Sequence, residues 1–207
     1  MPVPATPKAK AELVEIFSSL QGEGPLVGHR QVFIRFAGCH LCCNYCDTDF
    51  TAHNECLVEK VPGSGNVTGL TNPVALFEVR NIIQEWIDAA PGAHHSISLT
   101  GGEPLLHSDL LLEWLPQLRK LLPIYLETSG TLPAELEPLI GQIDWVAMDI
   151  KLESLTGVVT DWDAHRKFLQ LAANTECFVK IVVAETTPAA ELLQAVELVN
   201  AISEKML

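Results

Sequence analysis

Gly38-Cys39-His40-Leu41-Cys42-Cys43-Asn44-Tyr45-Cys46-Asp47-Thr48 places four of the chain's six cysteines on eight consecutive residues. A disulfide framework would spread its cysteines over a short secreted chain. Clustering of this kind suits a metal centre. Two trios of thiols are available: Cys39, Cys43 and Cys46 give C-x3-C-x2-C, and Cys39, Cys42 and Cys46 give C-x2-C-x3-C. Three thiolates on one loop can hold three corners of a [4Fe–4S] cube and leave one iron open, whereas four close it. A structural zinc site built from Cys39, Cys42 or Cys43, Cys46 and His40 or His53 would use the same loop differently.

Upstream of this loop, Gln31 to Phe36 is β-branched and aromatic and reads as a strand, as do residues 12–20. Gln21-Gly-Glu-Gly-Pro25 between them is a turn by composition. Downstream, 49–72 shows little periodicity. It contains Pro62-Gly-Ser-Gly-Asn66 and is expected to be an exposed insertion. An alternating pattern follows. Asn72-Pro73 predicts the start of a helix to about Ala89, Ser96 to Thr100 a strand, and Ser108 the cap of a helix over 109–120. Ile124 to Glu127 and Ile143 to Asp149 read as strands, with a short helix at 133–140 between them. Asp161 caps a helix to about Ala173, Cys177 to Val183 is a strand, and Thr187-Pro188 opens a last helix to about Ser203.

A βαβα succession implies a parallel sheet covered by helices. A complete eight-fold barrel needs roughly 250 residues, more than the 207 present. The expected fold is α/β, a partial (β/α) barrel of about six mostly parallel strands with outer helices. Residues 1–11 read as a tail and 12–207 as one domain. Ligands of such sheets sit at the C-terminal strand ends.

Hydrophobic residues make up 48% of the chain and charged residues 19%, which excludes a disordered polymer. A net charge of −13 repels phosphate backbones, so nucleic acid is not an expected partner. No apolar run approaches the roughly 18 residues of a membrane span, and no signal-type segment opens the chain, so a cytoplasmic protein with no membrane partner is expected.

C-x3-C-x2-C after a strand resembles the signature of radical S-adenosylmethionine (SAM) enzymes. Thr100-Gly-Gly-Glu-Pro104 resembles their SAM-methionine motif, with Glu103 able to accept from an ammonium group and the glycines allowing close backbone approach. The segment Glu15-Ile-Phe-Ser-Ser-Leu-Gln-Gly-Glu-Gly-Pro25, Cys46-Asp-Thr48, Glu127-Thr-Ser-Gly-Thr131 and Asp149-Ile-Lys151 narrow the likeness. Together they resemble the 7-carboxy-7-deazaguanine synthase family of queuosine and deazapurine biosynthesis, over most of residues 12–183.

The resemblance implies a lyase that converts 6-carboxy-5,6,7,8-tetrahydropterin to 7-carboxy-7-deazaguanine with loss of ammonia, using a [4Fe–4S] cluster, SAM and Mg2+. In that family a reduced cluster passes an electron to SAM, and the resulting 5′-deoxyadenosyl radical takes hydrogen from C6 of the pterin. The ring then contracts and SAM is regenerated. By resemblance, Cys39, Cys43 and Cys46 hold the cluster and Thr48 holds Mg2+. Tyr45, Asp47, Gly102, Glu103, Thr128, Ser129, Asp149 and Lys151 take the SAM contacts. Leu20, Gln21, Gly22, Arg35 and Thr100 take the pterin. A guanidinium at Arg35 can pair with the substrate carboxylate bidentately.

The same likeness implies an electron donor such as flavodoxin or ferredoxin and a homodimer. Family members carry a further strand and a short proline-containing tail that helps close the substrate site. That segment is expected to be absent here or supplied by a partner. Two other functions compete: an activase that places a glycyl radical on a partner protein, and a non-catalytic zinc module. Cys42, Cys56 and Cys177 are expected to hold no ligand, the histidines at 94, 95, 107 and 165 no site role, and the four tryptophans core positions.

Overall fold

The computed structural model describes residues 10–202. Its strands are Lys10–Ala11 (β1), Leu13–Leu20 (β2), Arg30–Phe36 (β3), Glu55–Glu59 (β4), Val67–Thr71 (β5), Val74–Ala75 (β6), Ser96–Gly101 (β7), Ile124–Thr128 (β8), Trp145–Asp149 (β9) and Glu176–Lys180 (β10). Its helices are Leu76–Ala89 (α1), Ser108–Leu118 (α2), Pro133–Leu136 (α3), Glu153–Thr156 (α4), Trp162–Ala172 (α5) and Ala189–Asn200 (α6).

Eight strands form one sheet in the order β10-β9-β8-β7-β3-β2-β4-β5, while β1 and β6 pair separately. From β10 to β3 every pairing is parallel. The β2–β3 pair is antiparallel, β4 runs parallel to β2, and β5 turns back on β4. No closed barrel forms among the described residues.

Strand alternation divides this sheet into two chemistries. Val32, Ile34, Phe36, Ile97, Leu99, Ile124, Leu126, Val146 and Met148 face the helices and join Val79, Ile83, Trp114, Leu115, Phe168 and Leu169 in one core. Full burial of each such side chain contributes roughly 1.5–3 kcal/mol. The intervening residues, among them Phe33, Arg35, Thr100, Glu127 and Asp149, face the concave side. There, Leu26, Tyr125 and Ala147 form a smaller cluster backed by Trp145 and Phe178.

Several local expectations are corrected. The supposed exposed insertion at 49–72 contains β4 and β5, so the main sheet has eight strands rather than about six. Cys56 and Val58 are buried beneath it. Glu59 gathers its Gly-rich turn by accepting from the N–H groups of Ser18, Gly63 and Gly65. Asn72 does not cap a helix. Its carboxamide accepts from Leu13 N at 3.1 Å and donates to Leu13 O at 2.7 Å. Helix α1 therefore starts later, where Glu78 accepts from Ala75 N. Ser108 lies inside α2, because a 3-10 turn at Pro104–His107 leads into that helix. The helix expected at 133–140 stops at Leu136. Lys10 and Ala11 are strand rather than tail; the rest of the expected tail, and Ser203 at the end of the last helix, lie outside the described residues. Trp86 and Trp114 are buried, whereas Trp145 and Trp162 are partly so.

Candidate functional site

The C-terminal ends of β3, β7, β8, β9 and β10 open into one cavity of about 960 Å³. The cysteine loop forms one wall. It leaves β3 at Gly38, whose N–H donates to Phe50 O at 2.8 Å and whose carbonyl accepts from Glu103 N at 2.9 Å. Gly102 packs directly on that carbonyl, and a Cβ there would collide with it. Gly101 has φ +127° and lies equally close to the Phe36 backbone. The paired glycines are thus the platform for the cysteine loop.

The thiols of Cys39, Cys43 and Cys46 line the cavity, whereas Cys42 is exposed and does not. Burial pushes the Cys39 and Cys43 thiols up. The backbone touches these sulfurs at two long contacts, Leu41 N to Cys39 Sγ at 3.4 Å and Cys46 Sγ to Thr48 O at 3.9 Å. The donor set therefore fits a thiophilic cluster better than one small ion. Among the described residues, no three His, Cys, Asp or Glu side chains converge on a single ion. His40 is held by Thr131 Oγ1 at 2.7 Å, and His53 faces Asp49.

Glu103 sits in the wall behind the Gly-Gly turn. It is fully buried and outside the cavity. One carboxylate oxygen accepts from Leu105 N and Thr128 Oγ1, the other from Ser129 N and Ser129 Oγ at 2.8 and 2.6 Å. Four donors fill its acceptor positions. Glu103 ties the Gly-Gly turn to the end of β8. Gly102, Thr128 and Ser129 do line the cavity, as do Tyr45, Asp47 and Thr48. The Thr48 hydroxyl donates to Asp47 Oδ1 at 3.3 Å.

At the end of β9, Asp149 Oδ2 accepts from Lys151 Nζ at 2.8 Å, with Lys180 Nζ at 3.7 Å. Asp149 Oδ1 is buried without a partner. A buried acceptor left open costs about 1–3 kcal/mol, so it marks a place for a ligand donor. Lys151 also reaches Tyr45 Oη at 3.2 Å. Burial opposes its charge, but Asp149 and Tyr45 more than offset that and raise its pKa.

Leu20, Gln21, Gly22, Arg35 and Thr100 line the opposite wall. The Gln21 amide donates to Glu127 Oε1 and Gln31 Oε1. Its own oxygen accepts from Gly22 N and Glu23 N. Thr100 Oγ1 donates to Glu127 Oε2 at 2.7 Å. Lys180 pairs with Glu23, which draws segment 21–28 across the concave face to β10.

Every sequence-predicted site residue except Glu103 therefore reaches this cavity. Sequence reasoning gave no role to Glu127, Lys180 or His165. The signal for Glu127 and Lys180 is available in the chain: each is a charged residue directly following an apolar run, Ile124 to Leu126 and Cys177 to Val179. His165 is buried in α5, where Nδ1 meets Gly130 O at 3.0 Å and Nε2 accepts from Lys151 N at 3.4 Å. It joins the turns after β8 and β9. His165 borders a second cavity of about 240 Å³ behind the cysteine loop.

Residues 33–195 match the Radical SAM superfamily. A 7-carboxy-7-deazaguanine synthase of Geobacter sulfurreducens is 48% identical over 197 residues, covering 95% of this chain and 79% of that protein. One from Archaeoglobus fulgidus is 38% identical over 191 residues, covering 90% and 77%. The crystal structure of QueE from Escherichia coli has the same fold, with TM-score 0.59 at 22% identity, covering 94% of this chain and 80% of that one.

Proposed function

Because the chain belongs to the 7-carboxy-7-deazaguanine synthase family of the radical SAM superfamily, we propose that it converts 6-carboxy-5,6,7,8-tetrahydropterin to 7-carboxy-7-deazaguanine with release of ammonia. The observation that carries this reading is that one cavity is lined both by three thiols and by Arg35, Gln21, Thr100 and Glu127. The Gln21-to-Pro25 segment favours a pterin over the protein substrate of a glycyl-radical activase.

In this reading Cys39, Cys43 and Cys46 hold the [4Fe–4S] cluster and Thr48 holds Mg2+. Tyr45, Asp47, Gly102, Glu103, Thr128, Ser129, Asp149 and Lys151 hold SAM. When bound, cluster and SAM supply radical chemistry through one-electron cleavage of a sulfonium carbon–sulfur bond. The open Asp149 Oδ1 is suited to a ligand N–H or O–H, and Lys151 to a ligand carboxylate. Glu103 also fixes Thr128 and Ser129. Leu20, Gln21, Gly22, Arg35, Thr100 and Glu127 orient the pterin, since a paired amide and carboxylate can read adjacent donors and acceptors on a heterocycle edge. Positioning of this kind can supply several kcal/mol of barrier lowering.

The reading includes an external electron donor such as flavodoxin or ferredoxin, a homodimer, a cytoplasmic setting and one domain, with Lys10 and Ala11 added to the expected 12–207. No described helix is long and apolar enough to cross a membrane. The test is anaerobic incubation of reconstituted protein with SAM, Mg2+, a reductant and the carboxytetrahydropterin. Mass analysis should give 7-carboxy-7-deazaguanine; unchanged pterin beside cleaved SAM would reject the substrate assignment.

A further inference from the structure

Leu13 and Ile16 are both fully buried, although they are three residues apart on one strand. Strict alternation cannot send both to the same face. The β2–β3 ladder resolves this with a register shift: Leu13 opposes Phe36, but Glu15 opposes Arg35. Val14 is the extra residue. Continuing the Leu13–Phe36 register would set Val14 opposite Arg35 and Glu15 opposite Ile34, on the core side. The bulge instead turns Glu15 toward the concave face. Bulges beside active sites commonly re-aim a side chain in this way.

The result is a guanidinium held on two sides. Glu15 Oε1 accepts from Arg35 Nε at 2.7 Å. The Phe17 ring lies under the guanidinium carbon, 5.6 Å from centroid, and is itself stacked on Phe33 at 5.0 Å. Among the described residues, the terminal Nη1 and Nη2 of Arg35 donate to no protein group, and Arg35 lines the cavity. Glu15 does not line it. We propose that Glu15 is a positioning residue, delivered by the Val14 bulge, that presents the free Nη edge of Arg35 to a carboxylate-bearing heterocycle. This rests on the reading of Arg35 as the substrate-carboxylate contact.

Glu15 also lowers the net charge that an incoming carboxylate meets. The pair is only 21% and 33% exposed, so solvent screens that opposing effect incompletely, and the gain from Glu15 is in orientation. A planar fork binds a carboxylate well only when its plane and edge are fixed.

The test uses reconstituted, SAM-loaded protein under anaerobic conditions and two fluorescent, unreactive probes, 6-carboxypterin and pterin. Glu15→Ala should weaken 6-carboxypterin about tenfold and change pterin by less than about twofold. Glu15→Gln keeps the acceptor for Nε and should remain within about threefold of the parent for both. SAM affinity and thermal midpoint should be unchanged in both variants. Equal weakening of the two probes would assign Glu15 a merely structural role and overturn the proposal. Unchanged or tighter 6-carboxypterin binding by Glu15→Ala would overturn it too. Arg35→Ala separates the two layers. If it weakens both probes alike, the carboxylate reading of Arg35 falls and Glu15 with it. If it is selective for 6-carboxypterin while Glu15→Ala is silent, only the Glu15 proposal falls.

Discussion

Leu99 and Thr100 are neighbours on β7, yet they belong to different regions of the molecule. Leu99 is buried against the helices, in a layer made almost wholly of Ile, Leu, Val, Phe and Trp. Thr100 faces a layer of glutamine, serine, threonine, carboxylates and lysines. The apolar layer stabilises the sheet, and its thiols at Cys56 and Cys177 do not line the cavity. The polar layer is built on the same strands, so its geometry is inherited from that core. Chemistry and stability are therefore separable residue by residue along one strand.

The largest effect should come from the loop that the strands carry. Cys39→Ala, Cys43→Ala or Cys46→Ala should abolish cluster retention and turnover, while Cys42→Ala keeps both. Iron and sulfide analysis after anaerobic reconstitution checks this. Loss of the cluster from Cys42→Ala with retention in Cys43→Ala would reverse the two thiols. Next, Leu99→Ala should cost about 2–5 kcal/mol, with each kcal/mol lowering the thermal midpoint by about 2–4 °C. Thr100→Ala should cost about 1 kcal/mol but impair turnover. If both variants lowered the midpoint equally, the division between faces would fail.

His165 sharpens the comparison, because it is a core-like burial serving the cavity. Burial lowers its pKa to about 4 from 6.5, with Gly130 O, Asp161 and Asp149 opposing that shift and Lys151 adding to it. Between those values the unfolded chain binds a proton that the native chain does not. Stability is thus full above pH 6.5 and falls as the pH drops toward 4, by roughly 3 kcal/mol. His165→Asn should flatten this acid limb in melts recorded from pH 7 to 4.5. An equally steep limb in the variant would show that another group titrates. A catalytic effect without a stability effect is expected at Thr48. Thr48→Val should keep cluster and SAM binding but lose about tenfold of Mg2+-dependent turnover, or about 1.4 kcal/mol. Thr48→Ser should keep most of it. An identical Mg2+ response in parent and Val variant would remove Thr48 as a ligand.

The parallel strands were legible because Val32, Ile34, Phe36 and their counterparts alternate with polar neighbours or run together between glycines. The hairpin at 55–71 was not, since its buried apolar residues are only Cys56 and Val58 and its second strand is almost entirely exposed. The members of the site were legible through their motifs, but their connections were not. Glu103 finds its donors 25 and 26 positions on, at Thr128 and Ser129. No local spacing announces such a pairing. The same holds for the bulge at Val14, where burial of both Leu13 and Ile16 is the visible trace.

The ion pair between Lys180 and Glu23 joins residues 157 positions apart, and the Phe178 ring lies against Gly24 beside it. Closing so long a loop has an entropic cost that must be met before the contact gives any return. During synthesis the cysteine loop, the Gly-Gly turn and Arg35 all leave the ribosome well before Phe178 and Lys180. A nascent chain can thus assemble most of the sheet while the cavity still lacks the strand that anchors its strap. Ligand-binding competence arrives late in the birth of this chain, with the docking of β10.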